Sequence, residues 1–212
     1  MTRTSIDRAG WPFILGAVGI AVVCGVWLNW FVALLFLGLG GFFLFFFRDP
    51  ERSVPTGAEI VLSPADGRVI VAGPGVQDAT PPGEWQQVSI FLSPMDVHVN
   101  RMPVGGRVTR VTFKPGRFLP AYRHDAGTAN ERSEIWIDHG GRAVVTRQIV
   151  GFLARRVVCR ATPGTEVRAG DRFGIMKFGS RMDVFLPLYA VISVAVGDVV
   201  RGGETVIAML HS

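Results

Sequence analysis

The sequence predicts a mainly β protein, a flattened β-sandwich or barrel-sandwich hybrid, preceded by an N-terminal hydrophobic helical membrane anchor. Three observations carry this. Residues 11–47 contain no charged side chain. From Pro50 onward, short Val- and Ile-rich runs are interrupted by Gly, Pro and Asp about every eight to twelve residues, the spacing of an all-β domain. Near the C-terminus, "GTEVRAGDRFGIM" (164–176) and "GDVVRGGETVIAM" (197–209) echo one another.

Residues 1–10 form a polar N-terminal segment. The uncharged run 11–47 is 37 residues long, whereas a spanning helix needs roughly 20. As one helix it would rise about 55 Å, far more than a hydrocarbon core of about 30 Å. Two helices turning near Asn29-Trp30 fit better, and Arg3, Arg8, Arg48 and Arg52 at the ends place both termini of such a hairpin on the cytoplasmic side. A single tilted span after an interfacial stretch is the competing reading. The run is too long for the apolar region of a cleaved signal peptide.

Residues 48–212 then form the β domain, with strand-like runs such as "WQQVSIFLSP", "GGRVTRVTFKPG" and "SEIWIDHGGRAVVTRQIVG". The stretch 116–132, "GRFLPAYRHDAGTANER", has no clean period, and long loops in compact domains tend to be functional. Paired hairpins like the two echoing segments occur in lipoyl-like carriers, but neither copy has the turn lysine that a swinging-arm carrier needs. The chain has 20 Arg, two Lys (Lys114 and Lys177) and a net charge of +5. On a tethered domain this favours an anionic membrane surface. Nucleic acid is not expected, because no basic stretch interleaves with aromatics. Cys24 and Cys159 suggest neither a disulfide framework nor a zinc pair.

Few residues are suited to chemistry. His211 is terminal, His139 lies in the turn "DHGG", and His124 falls in the long loop. His98 lies in "SPMDVHVNRMP"; if 95–101 is a strand, Asp96, His98 and Asn100 share one face, as a polar wall or a solvated side. Asp66 in "SPADGRV" either completes a turn or orients a histidine. Ser180 in "MKFGSRMDVF" stands between two apolar runs where a strand needs no serine. Lys177 nearby leaves pyridoxal chemistry a narrow opening.

Together "SPADGRV", "FLSPMDVHVNRMPVGG", "NER" (130–132) and "FGSR" (178–181), in that order, give a chain that resembles the phosphatidylserine decarboxylases, specifically the short membrane-anchored bacterial and archaeal branch. The resemblance covers roughly 45–210. It implies self-cleavage between Gly179 and Ser180, giving a β chain 1–179 and an α chain 180–212 whose N-terminus is a pyruvoyl group made from Ser180. It further implies decarboxylation of phosphatidylserine to phosphatidylethanolamine at the inner membrane, with the catalytic domain on the cytoplasmic face, and a heterodimer of the chain's own two pieces that leaves a higher oligomer open. No metal is implied. His98 matches the family's histidine for proton transfer, and Asp66 the acid linked to self-cleavage. Some branches carry a second histidine where this chain has Arg101, so their Asp-His-Ser triad does not transfer whole. Asp96, Asn100, Arg101 and Arg132 are supporting candidates, the two arginines as phosphate contacts.

Two other classes remain open from the residues. A membrane-anchored lipoyl-like adaptor predicts an intact chain with no need for Ser180. A metal-dependent hydrolase would use His98, His124 and Asp66, though these lack tight ligand spacing.

Overall fold

The computed structural model describes residues 4–76, 79–123, 125–152, 157–177 and 179–211. It divides into two units, Met1–Glu51 and Arg52–Ser212.

In the first unit, strand β1 (Thr4–Ile6) pairs antiparallel with β2 (Arg48–Pro50), which draws residues 48–51 into the N-terminal unit rather than the β domain. Between them lie helices α1 (Trp11–Trp27) and α2 (Trp30–Phe46). Asn29 separates the helices and caps the second, its side-chain oxygen accepting from the Phe31 N–H at 2.8 Å. Small residues let the helices approach closely: a Cβ at Gly25 would stand 3.4 Å from that of Ala33, and one at Gly40 3.8 Å from that of Ala17. The segment Arg8–Trp27 is long and apolar enough to cross a membrane, and Trp30–Phe46 is apolar but shorter.

The second unit is mainly β, as the sequence predicts. Its strands are β3 (Ile60–Leu62), β4 (Gly67–Pro74), β5 (Gln86–Leu92), β6 (Val99–Arg101), β7 (Gly106–Lys114), β8 (Arg132–His139), β9 (Arg142–Ile149), β10 (Val158–Cys159), β11 (Glu166–Val167), β12 (Arg172–Ile175), β13 (Ser180–Leu186), β14 (Val191–Ile192), β15 (Val199–Val200) and β16 (Val206–Met209). A one-turn helix, α3 (Ala126–Ala129), interrupts the long loop. The main sheet runs β11-β7-β8-β9-β13-β5-β4-β15 and curls into a half-barrel. Two small sheets, β10-β12-β6 and β14-β16-β3, complete the unit. Ile90, Ile135, Met182 and Val184 of the main sheet share one buried cluster with Val61, Phe173 and Ala208 of the small ones. Apolar burial between sheet faces is therefore what closes the sandwich.

The echoing segments are structurally equivalent. Each contributes a short strand to an edge of the main sheet, β11 on β7 and β15 on β4, and then a strand to a small sheet, β12 on β6 and β16 on β3. The hydrogen bonds repeat too: Gly164 N–H to Val108 O (2.7 Å) matches Gly197 N–H to Val69 O (2.9 Å), and Gly170 N–H to Met102 O matches Gly203 N–H to Ser63 O, both 2.8 Å.

One expectation needs correction. Residues 95–101 are not a single strand: 94–96 form a turn and the strand is only Val99–Arg101. Asp96 closes that turn, accepting from the Ser93 N–H at 2.7 Å. The carboxylate satisfies a backbone donor locally, which competes with strand extension.

Gly67 and Gly106 begin the equivalent strands β4 and β7 with φ of 150° and 141°. A Cβ at either would lie 2.2 Å from the carbonyl oxygen of Phe91 or Asp138. Gly67→Ala is expected to cost about 1–3 kcal/mol through backbone strain alone, read as a lowered midpoint in urea with an unchanged slope.

Candidate active site

Strand β13 lies between β9 and β5, and all seven of its residues are buried. Side chains alternate along a strand, so Ser180 shares its face with Met182, Val184 and Leu186, which belong to the core cluster. Ser180 is fully buried, and its Oγ makes no hydrogen bond among the described residues. A buried hydroxyl without a partner carries a desolvation cost of about 1–3 kcal/mol. Gly179 precedes it with φ of +67°, and nothing lies within 4 Å of where its Cβ would be. It also lines an apolar cavity of about 310 Å³ with Phe91, Pro94, Pro120, Ala121, Tyr122 and Phe152.

His98 is fully buried just before β6. Its carbonyl accepts from the Met176 N–H at 3.2 Å, four residues upstream of Ser180. Its Nδ1 lies 3.0 Å from the Asp96 carbonyl oxygen. A carbonyl can only accept, so Nδ1 carries the proton and neutral His98 has its basic lone pair on Nε2. Asn100, also fully buried, accepts through Oδ1 from Gln148 Nε2 at 2.8 Å. Gln148 is the β9 partner of Met182, so this bond ties the His98 segment to the Ser180 strand.

Asp66 sits elsewhere in the hydrogen-bond network. Arg52 Nη2 donates to both its oxygens, at 2.9 and 2.7 Å, and the Gly202 N–H donates to Oδ1 at 2.7 Å. Arg52 also reaches Glu204 at 3.3 Å. Asp66 therefore joins the start of the β domain to the β15–β16 hairpin, its carboxylate bonding to Arg52 and Gly202 among the described residues. Arg101 is buried, donates to the Gly170 carbonyl at 3.2 Å, and lines a cavity of about 490 Å³ with Arg160 and Arg172. Arg132 donates to the carbonyls of Thr128 and Asn130; burial, and then the charge of Arg147, lower its pKa. His139 is half-buried, its ring nitrogens 2.6 and 2.7 Å from the carbonyls of Gly105 and Ala58. His124 lies outside the described residues.

The opposite face of β13 carries charges that sequence reading missed. In register across the sheet stand Glu134 on β8, Arg147 on β9, Asp183 on β13 and Ser89 on β5. Arg147 binds Glu134 at 2.7 Å, and Arg181 binds Asp183 at 2.6 Å and Ser89 at 3.0 Å, all buried. Burial alone would raise the Glu134 pKa, but the charge and hydrogen bonds of Arg147, with a bond from Trp136, hold it below the ordinary carboxylate value. Asn130 of the "NER" motif closes the long loop over this region. Its Oδ1 accepts from the Leu119 N–H at 3.0 Å, and its Nδ2 donates to the carbonyls of Leu119 and Val150, both at 2.8 Å.

The domain is thus a curled half-barrel of antiparallel strands in which a glycine-serine pair opens a fully buried strand and the His98 segment is tied to that strand through Asn100 and Gln148. Residues 39–208 match the family model for phosphatidylserine decarboxylase. Among curated proteins, the chain is 46% identical to a protein of Nitrosomonas europaea over 97% of this chain and 95% of that one. It is 45% identical to a protein of Granulibacter bethesdensis, covering 94% and 83%, and 45% identical to one of Chlorobium chlorochromatii, covering 90% and 88%. All three are named phosphatidylserine decarboxylase proenzyme. The chain belongs to the phosphatidylserine decarboxylase family, which makes it a carboxy-lyase.

Because the Glu134 carboxyl is held below its ordinary value of 4.5, its contribution to stability is complete above that value and is lost as pH falls through the lower folded-state value. Glu134→Gln leaves Arg147 buried without its carboxylate and is expected to cost about 3–5 kcal/mol at pH 7. Denaturation at pH 7 and pH 3 should show a smaller difference between variant and wild type at the acidic end.

Proposed function

We propose that the chain is made as a precursor that cuts itself between Gly179 and Ser180, and that the pyruvoyl group formed from Ser180 serves decarboxylation of phosphatidylserine to phosphatidylethanolamine and CO2. The observation that carries this is the fully buried Ser180 Oγ, without a hydrogen-bond partner, directly after a positive-φ glycine. Ser63 and Ser89, equally buried, have their hydroxyls hydrogen-bonded, as most buried polar side chains do. The pyruvoyl carbonyl supplies the electron sink that loss of CO2 from an α-amino acid requires.

The rest of the site works through the chain's own groups. In self-cleavage Ser180 Oγ attacks the Gly179 carbonyl carbon, the peptide C–N bond breaks, and the carbonyl passes to oxygen as an ester. Loss of the Ser180 α-proton then expels the Gly179 carboxylate, and hydrolysis of the resulting dehydroalanine releases ammonia. His98 Nε2 is the basic nitrogen suited to moving a proton in turnover, and the Asp96 carbonyl fixes its tautomer. Asn100 holds the segment in place through Gln148. Asp66 supports maturation by fixing the β15–β16 hairpin through Gly202, and the Arg101 cavity is the better of the two arginine positions for a phosphate.

The α chain, 180–212, stays bound as a heterodimer, because β13 is paired on both edges and β15 and β16 pair with β4 and β3. Residues 11–47 anchor the protein in the inner membrane with the β domain on the cytoplasmic face, where a basic surface meets anionic lipid.

Intact-mass measurement of purified protein tests the reading. Two masses are expected, for 1–179 and 180–212, the smaller lighter than its unmodified peptide by the conversion of its serine to pyruvoyl. Ser180→Ala should give one full-length mass and no decarboxylation; an active, uncut wild-type chain would exclude the mechanism. His98→Ala is expected to lower turnover per processed chain by about 10²–10⁴-fold, measured as CO2 release from phosphatidylserine in detergent micelles.

A further inference from the structure

Gly151 lies just beyond the end of β9. We infer that it is a positioning residue for self-cleavage, its missing side chain being what lets the Gly179 carbonyl sit within reach of Ser180. This rests on the self-cleavage proposed for Ser180.

The antiparallel register pairs Arg181 of β13 with Ile149 of β9, and continuing it by two residues sets Gly179 opposite Gly151. There the backbones come together unusually closely. A Cβ on Gly151 would lie 1.9 Å from the Gly179 carbonyl oxygen and 3.0 Å from its carbon, the atom that Ser180 Oγ attacks; the next neighbour, the Ala121 Cβ, is 3.4 Å away. A side chain at 151 and the present carbonyl position exclude each other.

Which of the two would yield is decided by what holds each. Gly151 follows directly on a locked residue: the Val150 N–H donates to the Glu131 carbonyl at 3.1 Å, and the Val150 carbonyl accepts from Asn130 Nδ2 at 2.8 Å. Asn130 is fully buried and bonded at both ends of its amide. Gly179, by contrast, has open space around its Cβ position and a left-handed φ of +67°. An added methyl at 151 would therefore turn the Gly179 carbonyl away and leave β9 where it is.

The consequence falls on one step. Oγ–C bond formation requires the hydroxyl oxygen about 3–3.5 Å from the carbonyl carbon along a defined line of approach. The Oγ proton goes to a base, the C–N bond breaks, and the Ser180 nitrogen leaves as an amine after gaining a proton. All of this slows if the carbonyl is turned, since a misplacement of about 1 Å is enough to cost about 10²-fold in rate.

The test tracks cleavage of full-length chain after a pulse of synthesis, for wild type and Gly151→Ala, with and without hydroxylamine, which captures an ester at Gly179 by cutting it. Gly151→Ala is expected to cleave about 10–100-fold more slowly and to yield correspondingly less hydroxylamine-released product, since the ester itself does not form. The same substitution in a Ser180→Ala chain, where no cleavage occurs, should unfold cooperatively in urea. Cleavage at the wild-type rate would overturn the inference. So would ester at the wild-type level, which would put the defect after the acyl shift, and so would loss of cooperative unfolding in the Ser180→Ala chain, which would make Gly151 a requirement of the fold. A wild-type chain that never cleaves would instead remove the self-cleavage reading, leaving the two failures distinct.

Discussion

Strand β13 is hydrogen-bonded along both edges and buried over its whole length, and the rest of the site depends on that. A peptide bond at the entry of such a strand can break without releasing the strand itself, because the ladder to β5 and β9 does not pass through it. The same burial strips water from Ser180 Oγ, so the hydroxyl lies in a low-dielectric setting where an unpaired polar group is costly and a positioned base acts strongly. Gly179 is the adjustable residue in this frame, with β13 fixed on one side and the Met176–His98 backbone pair on the other.

The two faces of the sheet divide the labour. Toward the core, β13 presents Ser180 followed by Met182, Val184 and Leu186, and the sandwich closes over them. Away from it, Glu134, Arg147, Asp183 and Arg181 form two buried ion pairs of zero net charge across three neighbouring strands. Buried pairs add little stability over an apolar alternative, but breaking one leaves a charge stranded; their effect here is to penalise any slip in register of β8, β9 and β13. A shift by one residue would turn these charges into the core. The long loop meets this face at Gly127, whose carbonyl accepts from Arg147 at 3.5 Å, and the Asn130 amide fixes the backbone at Val150 beside the glycine pair.

A second tie runs through Asp66. Its carboxylate holds Arg52 at the entrance of the β domain and the backbone of Gly202 in the β15–β16 hairpin. The acid thus links the stretches on either side of the Gly179–Ser180 bond through a partly buried ion pair and one charge-assisted backbone bond, interactions stronger than their neutral counterparts.

The sequence by itself determined the class of fold and the apolar segment, and it singled out the Gly179-Ser180 pair on which the proposed self-cleavage rests. Val-Ile runs with turn residues at short intervals leave little but a β-sandwich, an uncharged stretch of 37 residues cannot belong to that core, and a serine between two apolar runs stands out against period-two patterning. The two echoing hairpins were legible for the same reason, since each must bury the same small-apolar pattern against an equivalent strand. Tertiary structure alone decided where the supporting residues act. Period-two reasoning put Asp96 on a strand with His98, yet its carboxylate closes a turn, because a local backbone donor lies within its reach. Asp66 reads either as a turn residue or as a partner for histidine, and its carboxylate binds Arg52, 14 residues away in sequence. The Glu134–Arg147 and Arg181–Asp183 pairs look like ordinary surface charges until the register stacks them across β8, β9 and β13. Gly151 reads as one more strand-ending glycine until the fold sets the Gly179 carbonyl against it. Period and composition report which side of an element is apolar; which backbone atoms meet across the sheet is settled only by the register between strands distant in sequence.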